Sequence, residues 1–265
     1  NATWYACFIG SLAGIVLAKL VFGGLGNNIF NPAAVGMLIA KICFSGQYPS
    51  AQNNWFIDVS TGPTPLTDAS EGIVNALNNT SITNLLIGNI GGTLGETFKV
   101  LIIIGAIYLL IKRSADYRVM LSYIGSFTLL ILITGLCMKF GRGLNINYFK
   151  YVGFQLLTGG LLFGATFMLT DPVTSPITSP GRVMYGIIAG CITVLIRFFA
   201  ATPEGVVFAI LISNMLAPVI DYYKWSSPKY SVKKLIVMAI IFVLTASVLI
   251  LAIMFAKEGG AWYVK

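Results

Sequence analysis

No histidine occurs in the 265 residues, and the four cysteines, Cys7, Cys43, Cys137 and Cys191, stand far apart with no Cys-x-x-Cys pair. The absence excludes ordinary His-containing metal centres and haem held by histidine, and leaves no cysteine cluster for iron–sulfur ligation. Each cysteine lies in or beside an apolar run and reads as a small buried hydrophobe. A Gly-x-Gly-x-x-Gly turn after a strand and a Gly-Lys-Ser/Thr loop are both missing, so the usual marks of nucleotide binding are missing too. Charge is scarce: Asp, Glu, Lys and Arg make up 10% of the chain, against 57% hydrophobic residues. Soluble domains carry about 25% charged residues, so this composition belongs to a membrane protein. The net charge of +8 does not point to nucleic acid, because Lys and Arg gather at the ends of apolar segments, where they set topology and meet anionic lipid.

What is present is a series of continuous apolar runs. They favour membrane helices over a barrel, whose strands would be short and alternating. Spans are expected at about 3–22, 29–44, 98–111, 119–138, 151–169, 183–200, 205–219 and 235–256. The first closes on Gly23-Gly24-Leu25-Gly26-Asn27-Asn28, and the second opens on Asn31-Pro32, a cap followed by a proline in the first turn. Stretch 82–96, with four glycines in eight residues, reads as a short broken helix that dips into the membrane. Phe30-Asn31-Pro32-Ala33 recurs in character as Thr170-Asp171-Pro172-Val173, each after a glycine-containing apolar helix. The expected fold is therefore an all-α polytopic membrane protein. It is one transmembrane domain over 1–265 with about eight spans, broken or re-entrant helices, and pseudo-two-fold halves near 1–112 and 119–256. Because the chain starts at Asn1 and enters a helix almost at once, further residues are expected ahead of it.

Between Lys41 and Lys99 there is no basic residue, while Asp58, Asp68, Glu71 and Glu96 fall inside. The positive-inside tendency places this segment outside the cytoplasm and the Lys112-Arg113 turn inside. Loop 222–234, with four lysines, also points inward, whereas 139–150, outside by alternation, carries three basic residues. In the basic-free segment, Asp58-Val59-Ser60-Thr61-Gly62-Pro63-Thr64-Pro65-Leu66 sets two prolines and a glycine within four positions. Such a run excludes a regular helix there and holds the Thr64 hydroxyl on a stiff loop. Stretch 170–182 is the second unusual one, with three prolines and five Ser/Thr between apolar spans. Irregular backbone at membrane depth is tolerated only when buried in protein or lining a cavity. Asp171 is its ionisable group and a functional candidate, with Arg182 or nearby hydroxyls as partners; a helix cap at the interface is the plainer role. Glu96, Glu204 and Asp221, near span ends, are weaker candidates.

Five ordered runs carry a family resemblance: Phe30-Asn31-Pro32-Ala33-Ala34-Val35-Gly36, then 88–97, 170–176, 204–211 and 214–218. Over nearly the whole chain they resemble the NqrB/RnfD family, whose members are membrane components of the sodium-pumping NADH:quinone oxidoreductase and of the Rnf electron-transport complex. The likeness is to the Rnf branch, RnfD. In that family FMN is joined through its phosphate to the last threonine of a Ser/Thr-Gly-Ala-Thr motif. Thr61-Gly62-Pro63-Thr64 matches it, with proline in place of alanine, and the family-like Pro65-Leu66 follows. The resemblance thus implies Thr64 as the covalent FMN residue, with Thr61, Gly62, Pro65, Asn31, Asp171 and Thr174 around the cofactor. Asp171 and Glu96 become candidate ion-coupling groups. It allows a noncovalent riboflavin, for which no residues are identified.

The resemblance also implies a complex of a bacterial or archaeal cytoplasmic membrane that couples ferredoxin:NAD oxidoreduction to Na+ or H+ movement. Its partners would include a second covalent-FMN subunit, iron–sulfur subunits, other membrane and peripheral subunits, and membrane lipid, but no nucleic acid. NAD and ferredoxin chemistry would fall to those partners. A transporter or channel of broken-helix repeats without a redox cofactor is the rival, and a structural anchor the third alternative. Neither gives a reason for the Thr64 motif.

Overall fold

The computed structural model describes residues 3–44, 64–92, 95–141, 143–144, 146–200, 204–222 and 227–255. Twelve α-helices account for most of these residues: α1 (Trp4–Ile15), α2 (Pro32–Cys43), α3 (Pro65–Glu71), α4 (Ile73–Asn79), α5 (Ile82–Ile87), α6 (Lys99–Ile111), α7 (Tyr117–Leu136), α8 (Tyr148–Leu157), α9 (Leu161–Phe163), α10 (Ser179–Phe199), α11 (Val206–Tyr222) and α12 (Val232–Phe255). Wider π-helical turns extend α1 over Val16–Leu20, α7 over Cys137–Gly141 and α9 over Gly164–Met168. Three helices are long and apolar enough to cross a membrane: Tyr117–Gly141, Ser179–Phe199 and Val232–Phe255. The pair Tyr148–Leu157 and Leu161–Met168, bent by 58°, makes a fourth, and four shorter apolar helices complete the set. The chain is an all-α, multi-pass membrane protein.

Three sequence expectations are corrected in detail. The span expected over 151–169 is two pieces. Gly159 takes φ +64°, a left-handed conformation open to glycine, and α8 stops one residue earlier, at its cap Thr158. A regular helix does begin inside the proline-rich run, because Pro65 occupies the first helical position, where no N–H is needed. Of the cysteines only Cys191 is buried, while Cys7 and Cys43 are exposed. In a membrane helix an outward apolar position faces lipid or another chain, so apolar sequence does not dictate burial.

The centre of the bundle is the pair α7 and α10, drawn close by Gly186 and Gly190. A Cβ at Gly186 would lie 2.7 Å from Val119 O, and one at Gly190 3.0 Å from Tyr123 O. Small residues four apart allow such backbone approach where no hydrophobic effect drives helices together. Buried polar groups then pair across the seam, the Tyr123 and Thr193 hydroxyls at 3.1 Å, and between α7 and α8, the Thr134 and Tyr151 hydroxyls at 3.2 Å. The α1–α2 crossing uses the same device, with Gly14 against Pro32 O and Gly36. A Cβ at Gly14 would sit 2.5 Å from that carbonyl, which is fixed backbone. Gly14→Ala is therefore expected to push α1 off α2 and cost about 1–3 kcal/mol, seen as a lower thermal midpoint in detergent. An unchanged midpoint would show that the crossing tolerates separation.

Direction follows from the polar contacts. Arg118 Nη1 donates to Ser179 Oγ at 2.8 Å and the Ile177 N–H donates to Asp221, so the start of α7, the start of α10 and the end of α11 share one end of the bundle. At the other end Lys41 pairs with Glu204 at 2.9 Å, and Arg197 reaches the α8 terminus. Thr64 belongs to that second end, since the Lys99 and Gly159 contacts described next surround it.

Candidate functional site

Thr64 is the N-cap of α3. Its extended backbone, φ −70° and ψ 152°, turns the hydroxyl toward the first helical turn, where Oγ1 accepts the Thr67 N–H at 3.3 Å and shares a 2.6 Å hydrogen bond with Thr67 Oγ1. Thr64, Pro65 and Leu66 form one wall of a narrow crevice. Its other walls are Ile90, Gly91 and Gly92 after the left-handed cap of α5, the Glu96–Lys99 turn, Gly159 at the α8 break, and Glu204 before α11. The broken elements are therefore what bring the crevice together.

Glu96 and Glu204 also line a much larger cavity of about 460 Å³. Met37, Leu38, Phe163, Phe167, Met168, Val206, Val207 and Phe208 give it apolar walls, and Asn31, Lys41, Glu96 and Glu204 give it a few polar points. The Phe163 and Phe167 rings stand 5.1 Å apart on one wall. A cavity of this size with mostly apolar walls and few polar groups is the ordinary form of a cofactor pocket.

Two cations are buried beside the crevice, Lys99 on its wall and Arg197 behind Gly159. Lys99 is 1% exposed, and its ammonium donates to Gly159 O at 2.7 Å and to Glu96 O. Arg197 is 0% exposed; it donates to Gln155 O at 2.6 Å, Gln155 Oε1 at 3.1 Å and Thr158 O at 3.0 Å, and its guanidinium lies 4.9 Å from the Phe127 ring centroid. A charge removed from water costs several kcal/mol unless such donors and dipoles replace the solvent. These contacts tie the freed carbonyls of the α8 terminus to α6 and α10. Glycine at 159 is called for by its left-handed φ and not by space, since a Cβ there would make ordinary contact, 3.4 Å from Arg197 Nη2 and 3.7 Å from Leu66. The Glu96 carboxylate lies directly over Gly160.

The sequence candidates divide as follows. Thr64 and Pro65 line the crevice, Asn31 the larger cavity, and Glu96 both. Asn31 is heavily engaged already: Oδ1 caps the Ala33 and Ala34 N–H groups, and Nδ2 donates to Met168 O at 3.1 Å. With the Asn214 amide turned to donate to Tyr185 and Ile210, Asn214 Oδ1 accepts the Asn31 N–H at 2.9 Å. Asn31 thus joins α2, the end of α9 and α11 at one point. Asp171 and Thr174 line neither space. Asp171 accepts the Val173 N–H at 3.2 Å and the Thr174 hydroxyl at 3.3 Å, both within a non-helical turn and not at the helix cap foreseen as its plainer alternative. Arg182 is not its partner: it pairs with Asp116 and donates to Pro176 O at 2.8 Å. Thr61 and Gly62 lie outside the described residues.

Sequence reasoning missed Lys99 and Arg197. Both sit at helix ends, where a basic residue reads as a topology signal. The clue was Arg197 inside an apolar run, an expensive placement that calls for internal partners.

The comparisons agree on kinship. Residues 1–229 match the NQR2, RnfD, RnfE family. The chain is 36% identical over 218 residues to the B subunit of the Na(+)-translocating NADH-quinone reductase of Chromohalobacter salexigens, covering 81% of this chain and 52% of the relative. To the protein of the same name from Ectopseudomonas mendocina it is 39% identical over 223 residues, 81% of this chain and 53% of the relative. With the Klebsiella pneumoniae protein the figures are 35% over 230 residues, 83% and 54%. The chain therefore spans about half the length of the curated relatives it matches. With a family match over most of its length, this chain belongs to the NQR2, RnfD, RnfE family.

Proposed function

We propose that this chain is a membrane electron-transfer subunit that carries FMN through a phosphodiester at Thr64, in an Rnf-type complex coupling ferredoxin:NAD oxidoreduction to Na+ or H+ translocation. The observation that carries the proposal is the placement of the motif threonine. Its hydroxyl stands on a crevice that shares Glu96 and Glu204 with an apolar cavity large enough for a tricyclic ring. The residues present fit the group. Thr64 supplies an acceptor oxygen, Lys99 a fixed cation on the same crevice as compensation for a phosphodiester, and Phe163, Phe167 and the aliphatic wall a dry slot. When bound, a flavin supplies one- and two-electron transfer. The protein's part is to hold it, exclude water, and balance added negative charge with Lys41, Lys99 and Arg197. A noncovalent riboflavin elsewhere in the chain is compatible with this assignment.

Ion coupling, the two-half organisation of 1–112 and 119–256, iron–sulfur and second-FMN partners, and a cytoplasmic-membrane location with Thr64 outside belong to the same proposal. The sidedness is supported by the end opposite Thr64, where Lys112, Arg113, Arg118, Arg182, Lys229, Lys233 and Lys234 gather. For coupling, Glu96→Gln and Asp171→Asn are each expected to reduce ions moved per electron several-fold while electron transfer persists, because a mobile cation then loses a carboxylate. Transport assays in vesicles decide this, and full coupling in both variants removes the two residues. The carrier assignment is tested by flavin fluorescence of the denatured chain together with its intact mass. A dark band of unmodified mass, from a host that flavinylates its proteins, would favour the transporter alternative, to which the α8–α9 break also lends itself.

A further inference from the structure

At the end of the bundle away from Thr64 lies a second cavity, of about 400 Å³, between the α6–α7 turn and the loop that precedes α10. Arg113, Arg182, Asp116, Tyr117, Ser175 and Leu110 are among its lining residues. Its charge is unbalanced. Asp116 is the acidic group there, and it is committed twice: its carboxylate accepts the Arg118 N–H as the cap of α7, at 2.8 Å, and pairs with Arg182. Arg118 stands beside it with Nη1 4.0 Å from the same carboxylate. Two arginines, Arg113 and Arg182, thus line the cavity with one carboxylate that Arg182 and Arg118 already engage, and Arg113 has no side-chain hydrogen bond or ion pair among the described residues.

Arg113 is also the non-glycine residue with positive φ among the described residues, at +55°. Here α6 ends with the Arg113 N–H on Leu110 O at 3.1 Å and the Ser114 N–H on Leu109 O at 3.0 Å. This left-handed termination normally takes glycine, and a side chain with a Cβ is disfavoured in it. A long cation is therefore held at the cavity in a backbone conformation that works against it, and strain of that kind gathers at ligand sites.

The flank is apolar and uncovered. Tyr108 is 60% exposed, Ile111 74% and Ile177 81%. Basic groups in a recess, with an exposed tyrosine and an apolar helix face beside it, provide one surface for a phosphate and another for an acyl chain.

We propose that this cavity binds a phosphate ester anion through Arg113 and Arg182, with the headgroup of an anionic phospholipid as the occupant the apolar flank favours. The test uses the whole complex, stripped of lipid in a neutral detergent. It is titrated with phosphatidylglycerol in mixed micelles and, separately, with inorganic phosphate, while the thermal midpoint of this chain is followed. Arg113→Gly removes the guanidinium yet suits the left-handed backbone, so it is expected to fold at least as well as the parent chain. Phosphatidylglycerol should stabilise the parent, with half-saturation about tenfold weaker in Arg113→Gly, as for loss of one charge-assisted contact, and largely restored in Arg113→Lys. If inorganic phosphate saturates the parent and Arg113→Gly weakens that binding too, the site takes soluble phosphate; if only the lipid acts, it is a lipid site. Equal response of parent and Arg113→Gly to both probes, or no response of the parent to either, overturns the assignment.

Discussion

Thr64→Val is expected to abolish covalent flavin completely. If Thr64 carries FMN as proposed, flavin fluorescence of the parent should survive denaturation and its intact mass should exceed the polypeptide by one esterified FMN; in the variant both signals should disappear, and electron transfer through the proposed complex should fall to background. The effect is all or none because a phosphodiester needs an oxygen, and valine offers a methyl of the same shape in its place. The side chain's structural role is modest by comparison. Thr64 Oγ1 accepts the Thr67 N–H and meets the Thr67 hydroxyl, and losing such a cap costs about 0.5–2 kcal/mol. Thr67→Val provides the control, since it removes the hydroxyl that Thr64 contacts and leaves Thr64 itself in place. It should keep the flavin. Fluorescence retained in Thr64→Val would move the attachment to another residue, and flavin lost in both variants would make Thr64 a matter of local folding instead of chemistry.

Arg197→Met is expected to have the largest effect on stability, about 3 kcal/mol or more. Gln155 O, Gln155 Oε1 and Thr158 O each lose a charged donor in a place water does not reach, and the aromatic face of Phe127 loses its cation. The carbonyls concerned are those freed where α8 ends, so damage begins at the 158–160 break and passes to Gly159, whose own carbonyl receives Lys99. The isoalloxazine ring of the proposed flavin, still tethered at Thr64, should then leave its slot and change its emission at lower temperature than the bulk of the bundle unfolds. Thermal unfolding followed by both flavin emission and helix content separates the two events. Arg197→Lys, which keeps charge but has no planar fork, should recover only part of the loss. A methionine variant with an unchanged midpoint would mean that water replaces the guanidinium, and the burial argument would fail there.

The family and the helical class were legible because they rest on local pattern. Apolar runs give helices whatever surrounds them, Asn31-Pro32 starts a helix by its own chemistry, and Thr64-Pro65 carries its motif in sequence order. Span lengths were less legible. The Tyr148–Leu157 and Leu161–Met168 pieces read as one run because hydropathy has no term for the left-handed turn at Gly159, which tertiary contacts stabilise. The partners of Asp171 were not legible either: it bonds locally to the Val173 N–H and the Thr174 hydroxyl, and Arg182, eleven residues along by number, lies against Asp116 instead.

The sequence alone determined the helical membrane class and the kinship and singled out Thr64 as the proposed acceptor, since each is written in composition or in an unbroken run. Only the tertiary structure decided what surrounds that hydroxyl. Glu96 and Lys99 come from one turn, Gly159 and Glu204 from others, and Arg197 from the far end of α10. They meet because buried cations must find the carbonyls that a broken helix leaves free, and that pairing depends on distances in space that no local pattern encodes.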